Sequence, residues 1–137
     1  MGRLLQRLSF AFAAGSVGGL VNSVALWLAG QNGLTALLRV NIHPRLTPDW
    51  LYPRLVWGGL WGLLLLLPLV KSKPVLRGML ISLGPTLAQL FYFFPSVQHK
   101  GVMGMALGTL TPLLVFVLNA VWGLAAVFWL KLSDKTI

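Results

Sequence analysis

The chain has no cysteine, no glutamate and only two aspartates, Asp49 and Asp134, in 137 residues. Without thiols there is no disulfide, no thiolate nucleophile, no iron–sulfur ligation and no lipoprotein-type acylation, and the redox compartment stays open. With so few carboxylates, paired acid–base catalysis lacks its usual groups. A serine–histidine–aspartate arrangement has no buried acid to orient His43 or His99. A metal site needs three or four ligands, and His43, His99 and Asp49 are all that one side of the protein offers. No phosphate loop, dinucleotide fingerprint or haem-attachment motif occurs. The expectation is a protein that is not an enzyme and carries no cofactor and no metal.

Charge is scarce as well. Only 9% of residues are charged against 57% hydrophobic, and the mean hydropathy is +0.82. A soluble domain of this length needs more charged surface, so most side chains are solvated by lipid. The net charge of +9 does not point to nucleic acid, because the basic residues sit at the ends of apolar segments, where membrane proteins place them.

What is present organises itself around residues 46–63, LTPDWLYPRLVWGGLWGL. Thr47 suits an N-cap and Pro48 the first turn, where its missing N–H costs nothing. Asp49 meets the positive end of the helix dipole, and Pro53 is expected to bend or restart the helix. Trp50, Tyr52 and Trp57 form an aromatic belt at headgroup depth. The expected architecture is all-α: a polytopic membrane protein built as a single bundle of four transmembrane helices over residues 1–137. The helices are expected at residues 8–29, 48–70, 74–94 with a kink at Gly84-Pro85, and 112–131. The start imitates a signal peptide, with Arg3 and Arg7 before Ala11-Phe12-Ala13, but the apolar run continues past Leu26 and reads as an uncleaved first helix. A short interfacial helix is expected at residues 34–40, and residues 96–108 read as either an interfacial helix or a re-entrant turn. Residues 133–137 form a tail.

Residues 110–124, LTPLLVFVLNAVWGL, echo the first stretch: Leu-Thr-Pro, then Val-Trp-Gly. The echo suggests two duplicated helix pairs, residues 8–70 and 74–131, related as a parallel repeat. Seven basic residues (Arg3, Arg7, Lys71, Lys73, Arg77, Lys131, Lys135) fall on one side and four (Arg39, Arg45, Arg54, Lys100) on the other. The positive-inside rule then puts both termini in the cytoplasm.

Small residues recur at four-residue spacing: Ala11, Gly15, Gly19 and Ser23, then Gly58 and Gly62, Gly78, Ser82 and Thr86, and Gly104 and Gly108. Such stripes let helix backbones approach closely. They serve internal packing or contacts with other subunits. Asn22, Ser82, Thr86, Gln89 and Asn119 are polar groups within the helices. Either they bond to one another across the bundle or they line a pore. No helix interior holds an acid, a lysine, an arginine or a histidine on this reading, which disfavours ion-coupled transport.

Arg39, Arg45 and Arg54 are expected to converge around the loop before the second helix. Asp49 can neutralise one of them, and guanidinium forks two bonds to phosphate. Together with Trp50 or Tyr52 they are the candidate site for an anionic lipid headgroup or an acidic partner segment.

Residues 77–95, RGMLISLGPTLAQLFYFFP, followed by Asn119-Ala120-Val121-Trp122, resemble the second half of the YagU-type bacterial inner-membrane proteins. The resemblance implies a bacterial inner membrane and no residue roles. The expected function is binding without catalysis, as a subunit or scaffold of a membrane assembly, as a homo-oligomer, or as a binder of anionic lipid. The alternative is a small pore or facilitator lined by the uncharged polar groups.

Overall fold

The computed structural model describes residues 2–133. Asp134, Lys135 and the rest of the expected tail lie outside the described residues. Every regular element among those described is helical. Helix α1 covers Gly2–Gln31 and α2 is a single turn, Leu34–Leu37. Helix α3 covers Pro48–Gly62 and tightens into a 3-10 segment, Leu63–Leu66. Helix α4 covers Pro74–Ala88 and widens into a π-helix, Gln89–Val97. A 3-10 turn at Val102–Gly104 precedes α5, Thr111–Ser133. Three helical stretches, Gly2–Gln31, Pro74–Val97 and Thr111–Ser133, are long and apolar enough to cross a membrane. The chain is an integral membrane protein.

The long helices pack in the order α3, α1, α5, α4. Each neighbouring pair is antiparallel. A Cβ on Gly62 would lie 2.7 Å from the Gly15 Cα, and one on Gly19 would lie 2.9 Å from the Arg54 carbonyl, so numbering rises on α1 as it falls on α3. Asn22 bonds to Leu118, and the Trp122 Nε1 donates to the Gly15 carbonyl at 3.0 Å, which orders α1 against α5 the same way. Gly78 meets Gly123 between α4 and α5. The start of α1, the Lys71–Lys73 turn and the end of α5 therefore share one end of the bundle, and the two long loops share the other.

The small residues explain why these helices approach so closely. Ala11, Gly15, Gly19 and Ser23 are all buried on α1, and Gly58 and Gly62 are buried opposite them. No side chain fits at Gly15, Gly58 or Gly62 without striking the facing backbone. The end of the bundle near Lys71 is filled by an apolar core of Ala11, Ala14, Leu65, Ile81, Trp122, Ala126, Val127 and Leu130.

Several boundaries differ from the sequence expectation, and prolines explain most of them. Helix α3 does not reach residue 70. Pro68 disfavours helical geometry at the residue before it, Leu67 is extended (φ −71°, ψ 135°), and the turn ahead of it contracts to 3-10. Arg77, 5% exposed, donates from Nη2 to the Leu65 carbonyl at 2.5 Å. A cation thus meets the negative end of this helix. Pro53 causes no break, since α3 runs through it. Helix α4 likewise runs without interruption through Gly84-Pro85, the site of the expected kink. The ladder changes register after Ala88 and runs on through Pro95 to Val97. Pro85 and Pro95 each remove a helical donor, and beyond them Gln98 N–H bonds to the Phe93 carbonyl five residues back.

The interfacial helix expected at 34–40 is one turn only. It ends in a Schellman arrangement, with Val40 N–H on the Thr35 carbonyl and Arg39 N–H on the Ala36 carbonyl. Arg39 takes the left-handed position there, φ 58°, usually held by glycine. Gly104 and Gly108 lie in the second loop at φ 68° and 150° and form no helical stripe. The two loops are joined: Asn41 N–H donates to the Leu107 carbonyl at 2.8 Å. Val40 packs on Leu26 and Leu114, near the ends of α1 and α5, so the loops cap the bundle.

Candidate functional site

The antiparallel register between α1 and α3 has a consequence at its loop end. Gly62 faces Ala11 and Gly15, Gly58 faces Gly15 and Gly19, and four residues earlier on the same face of α3 comes Arg54. The next position of the α1 stripe is Ser23. Arg54 therefore turns inward: its Nε donates to Ser23 Oγ at 2.8 Å and its Nη2 to Asn22 Oδ1 at 2.6 Å. The Asn22 amide is fixed from the other side, because its Nδ2 donates to the Leu118 carbonyl at 2.7 Å. The Arg54 Cζ sits 4.7 Å from the centroid of the Trp50 ring, within cation–π range.

All of these partners are neutral. A guanidinium has five N–H donors. Two are used, which leaves three without an acceptor among the described residues. Asp49, the one acid described, is exposed in the first turn of α3. The charge is thus held by neutral oxygens and an indole face, with no carboxylate among the described residues to balance it.

Arg54 borders a cleft of about 280 Å³. Helix α3 forms one wall through Pro53, Trp57, Gly58 and Trp61, and Pro85, Gln89 and Phe93 of α4 and its π-helix form the other. Gly19, Asn22 and Ser23 of α1 and Asn119 and Trp122 of α5 make the floor, and Gln98 lies at the loop end. The cleft exists because α3 and α4 are the two ends of the helix row. They meet through side chains, Trp61 and Leu64 beside Gly84 and Trp57 beside Phe93, without the close backbone approach of the other pairs.

The expected site residues divide. Arg39, Arg45 and Tyr52 are exposed, and neither of these two arginines donates a side-chain hydrogen bond to a described residue. They do not join Arg54, because the stripe register fixes Arg54 on the α1 side while Arg39 terminates the short helix. The reading that no helix interior holds an ionisable group is corrected by Arg54 and by the buried Arg77. Trp50 stays with Arg54, as its stacking partner. Of the polar set, Asn22, Gln89 and Asn119 line the cleft. Ser82 and Thr86 do not. Their hydroxyls donate back to the Met79 and Ser82 carbonyls, and Asn119 Nδ2 donates to Thr86 Oγ1 at 3.1 Å and to Gln89 Oε1 at 3.4 Å. Gly15, Gly58 and Gly62 are taken up in packing within the chain. Sequence reasoning missed Pro53, Trp61, Phe93 and Gln98 as lining residues, and it placed Trp57 in an interfacial belt. The signal available for Arg54 was its four-residue spacing to Gly58 and Gly62.

No protein-family model, curated protein or solved structure matches the chain.

Proposed function

We propose that this protein crosses the membrane four times with both termini in the cytoplasm and works without catalysis, by binding an anionic group at Arg54. The 19 residues of α3 and its 3-10 extension cover roughly 30 Å, the thickness of a bilayer core. The bacterial inner membrane belongs to the proposal through the YagU-type resemblance. One observation carries the reading. A buried-side guanidinium with only neutral partners and three free N–H donors faces a cleft. Holding a charge inside a bundle without a counter-ion is costly, and an anion in the cleft offsets that cost while accepting forked bonds.

The partners are anionic membrane lipids before other subunits, because the Gly15 and Gly58 faces are already occupied within the chain. A pore is the weaker reading. The cleft's polar lining ends at Asn119 and Gln89, and beyond it the buried Thr86, Ser82 and Arg77 donate to carbonyls within the bundle amid the apolar core around Leu65 and Trp122.

Native mass spectrometry of protein extracted in mild detergent tests the proposal. Wild type should carry an anionic species, and Arg54→Gln should weaken its retention about tenfold or more, the weight of a charge-assisted pair. Arg39→Gln and Arg45→Gln should leave it in place. Equal retention by wild type and Arg54→Gln would overturn the assignment. A solute or ion flux through the protein in liposomes would favour the pore.

A further inference from the structure

We propose that the cleft is a lateral portal. It takes the phosphodiester headgroup of an anionic phospholipid sideways from the leaflet beside the two long loops, and the acyl chains leave between Trp57 and Phe93. The proposal rests on the anion-binding reading of Arg54 and adds the ligand class and its route.

The first argument is depth. Arg54 lies six residues after Pro48, roughly 9 Å along the helix, Trp57 roughly 13 Å and Trp61 roughly 20 Å. Charge and amide groups therefore stand at the loop end of the cleft and indole rings stand deeper. A phospholipid has the same gradient, with phosphate near the headgroup plane and hydrocarbon below it. A free inorganic anion would have no use for the deeper aromatic half.

The second argument is size. A cleft of about 280 Å³ lies just under the usual range for small-molecule pockets, roughly 300–1,000 Å³. It has room for a phosphate and its glycerol, not for two acyl chains. The chains must lie outside, and the gap between α3 and the π-helix is the side of the cleft that opens towards lipid. Trp57, at the mouth of that gap, is half exposed.

The third argument is what closes the gap. Trp57 and Phe93 meet edge to face, with centroids 5.6 Å apart at 76°. No side-chain hydrogen bond between described residues joins α3 to the π-helix. A single aromatic contact of this kind is weak enough for thermal opening. Phe93 also sits in the π-helix, an element common at functional sites.

The cysteine-free chain permits a clean test. Trp57→Cys and Phe93→Cys are combined, and the protein is studied before and after bridging with a short bismaleimide. Phosphatidylglycerol in nanodiscs probes the lipid, and glycerol 3-phosphate probes the soluble headgroup. Bridging should lower phosphatidylglycerol retention about tenfold and change glycerol 3-phosphate binding by less than about twofold. Retention of both probes after bridging, or loss of both, overturns the lateral route. The anion-binding reading is judged separately by Arg54→Gln, which should lose both probes whatever bridging does. Should the paired variant fold poorly, Phe93→Ala gives a second test. Removing the ring should speed phosphatidylglycerol dissociation about threefold or more, by loss of the aromatic contact. An unchanged off-rate overturns the portal.

Discussion

The two helix pairs, α1 with α3 and α4 with α5, use the same contact and do different things with it. In each, the glycine of a Val-Trp-Gly triplet presses on a glycine of the preceding long helix: Gly58 on Gly15 and Gly19, Gly123 on Gly78. Four residues before that glycine stands a polar side chain facing the cleft, Arg54 in the first pair and Asn119 in the second. Asn119 is closed off by Thr86 and Gln89. Arg54 has more donors than its neighbours can satisfy. The tryptophans diverge as well. Trp122 is buried and bonded to Gly15, whereas Trp57 is half exposed at the mouth of the cleft. One pair spends its polar groups on packing, and the other presents them to a ligand.

The largest effect should come from breaking the shared contact. Gly58→Leu and Gly123→Leu each drive a side chain into a facing backbone with no room to yield, and each should cost more than about 3 kcal/mol. Loss of the folded fraction in detergent, followed by thermal shift and size exclusion, checks this. Wild-type stability in either variant would mean that its glycine is not at a close crossing. A smaller effect separates the two tryptophans. Trp122→Phe removes the donor to the Gly15 carbonyl and should cost about 1 kcal/mol, while Trp57→Phe should stay within about 0.5 kcal/mol. Equal losses in denaturant titration would erase the contrast between packing and mouth. The smallest effect concerns the loops. Both loops use glycines at positive φ, Gly33 in the first and Gly101, Gly104 and Gly108 in the second. Both also hold non-glycine residues there, Arg39 at φ 58° in the first and His99 and Met103 in the second. Arg39→Gly relieves a strain of about 1 kcal/mol and should raise thermal stability slightly. A fall would show that the arginine side chain has a role in the folded protein.

The stripes of small residues were legible in the sequence because four-residue spacing on a helix is a geometric statement. They position α1, α3, α4 and α5 correctly. The inward turn of Arg54 was encoded in the same register. It was hidden because an arginine one to two turns into a membrane helix can equally reach outward to headgroups, and the flanking aromatics supported that choice. The π-helix was not legible. Its register depends on two proline-deleted donors and on how the second loop packs back onto Phe94, where Lys100 N–H finds the Phe94 carbonyl. At the other end of the bundle, the burial of Arg77 escaped notice because its partner, the Leu65 carbonyl, is left free only once Pro68 has ended the preceding helix.

That early end also bears on the surrounding lipid. Helix α1, with 30 residues, extends roughly 45 Å and reaches through both headgroup layers, whereas α3 and its 3-10 turn reach roughly 30 Å. The shorter element matches a bilayer core of about 30 Å, and the excess length of α1 is taken up by tilt or local thickening, at fractions of a kcal/mol per ångström. The shorter element here is the outer wall of the cleft. On the four-span proposal, a headgroup beside that wall therefore meets the cleft from a bilayer of ordinary thickness, with Arg54 roughly 9 Å along the helix from its loop end.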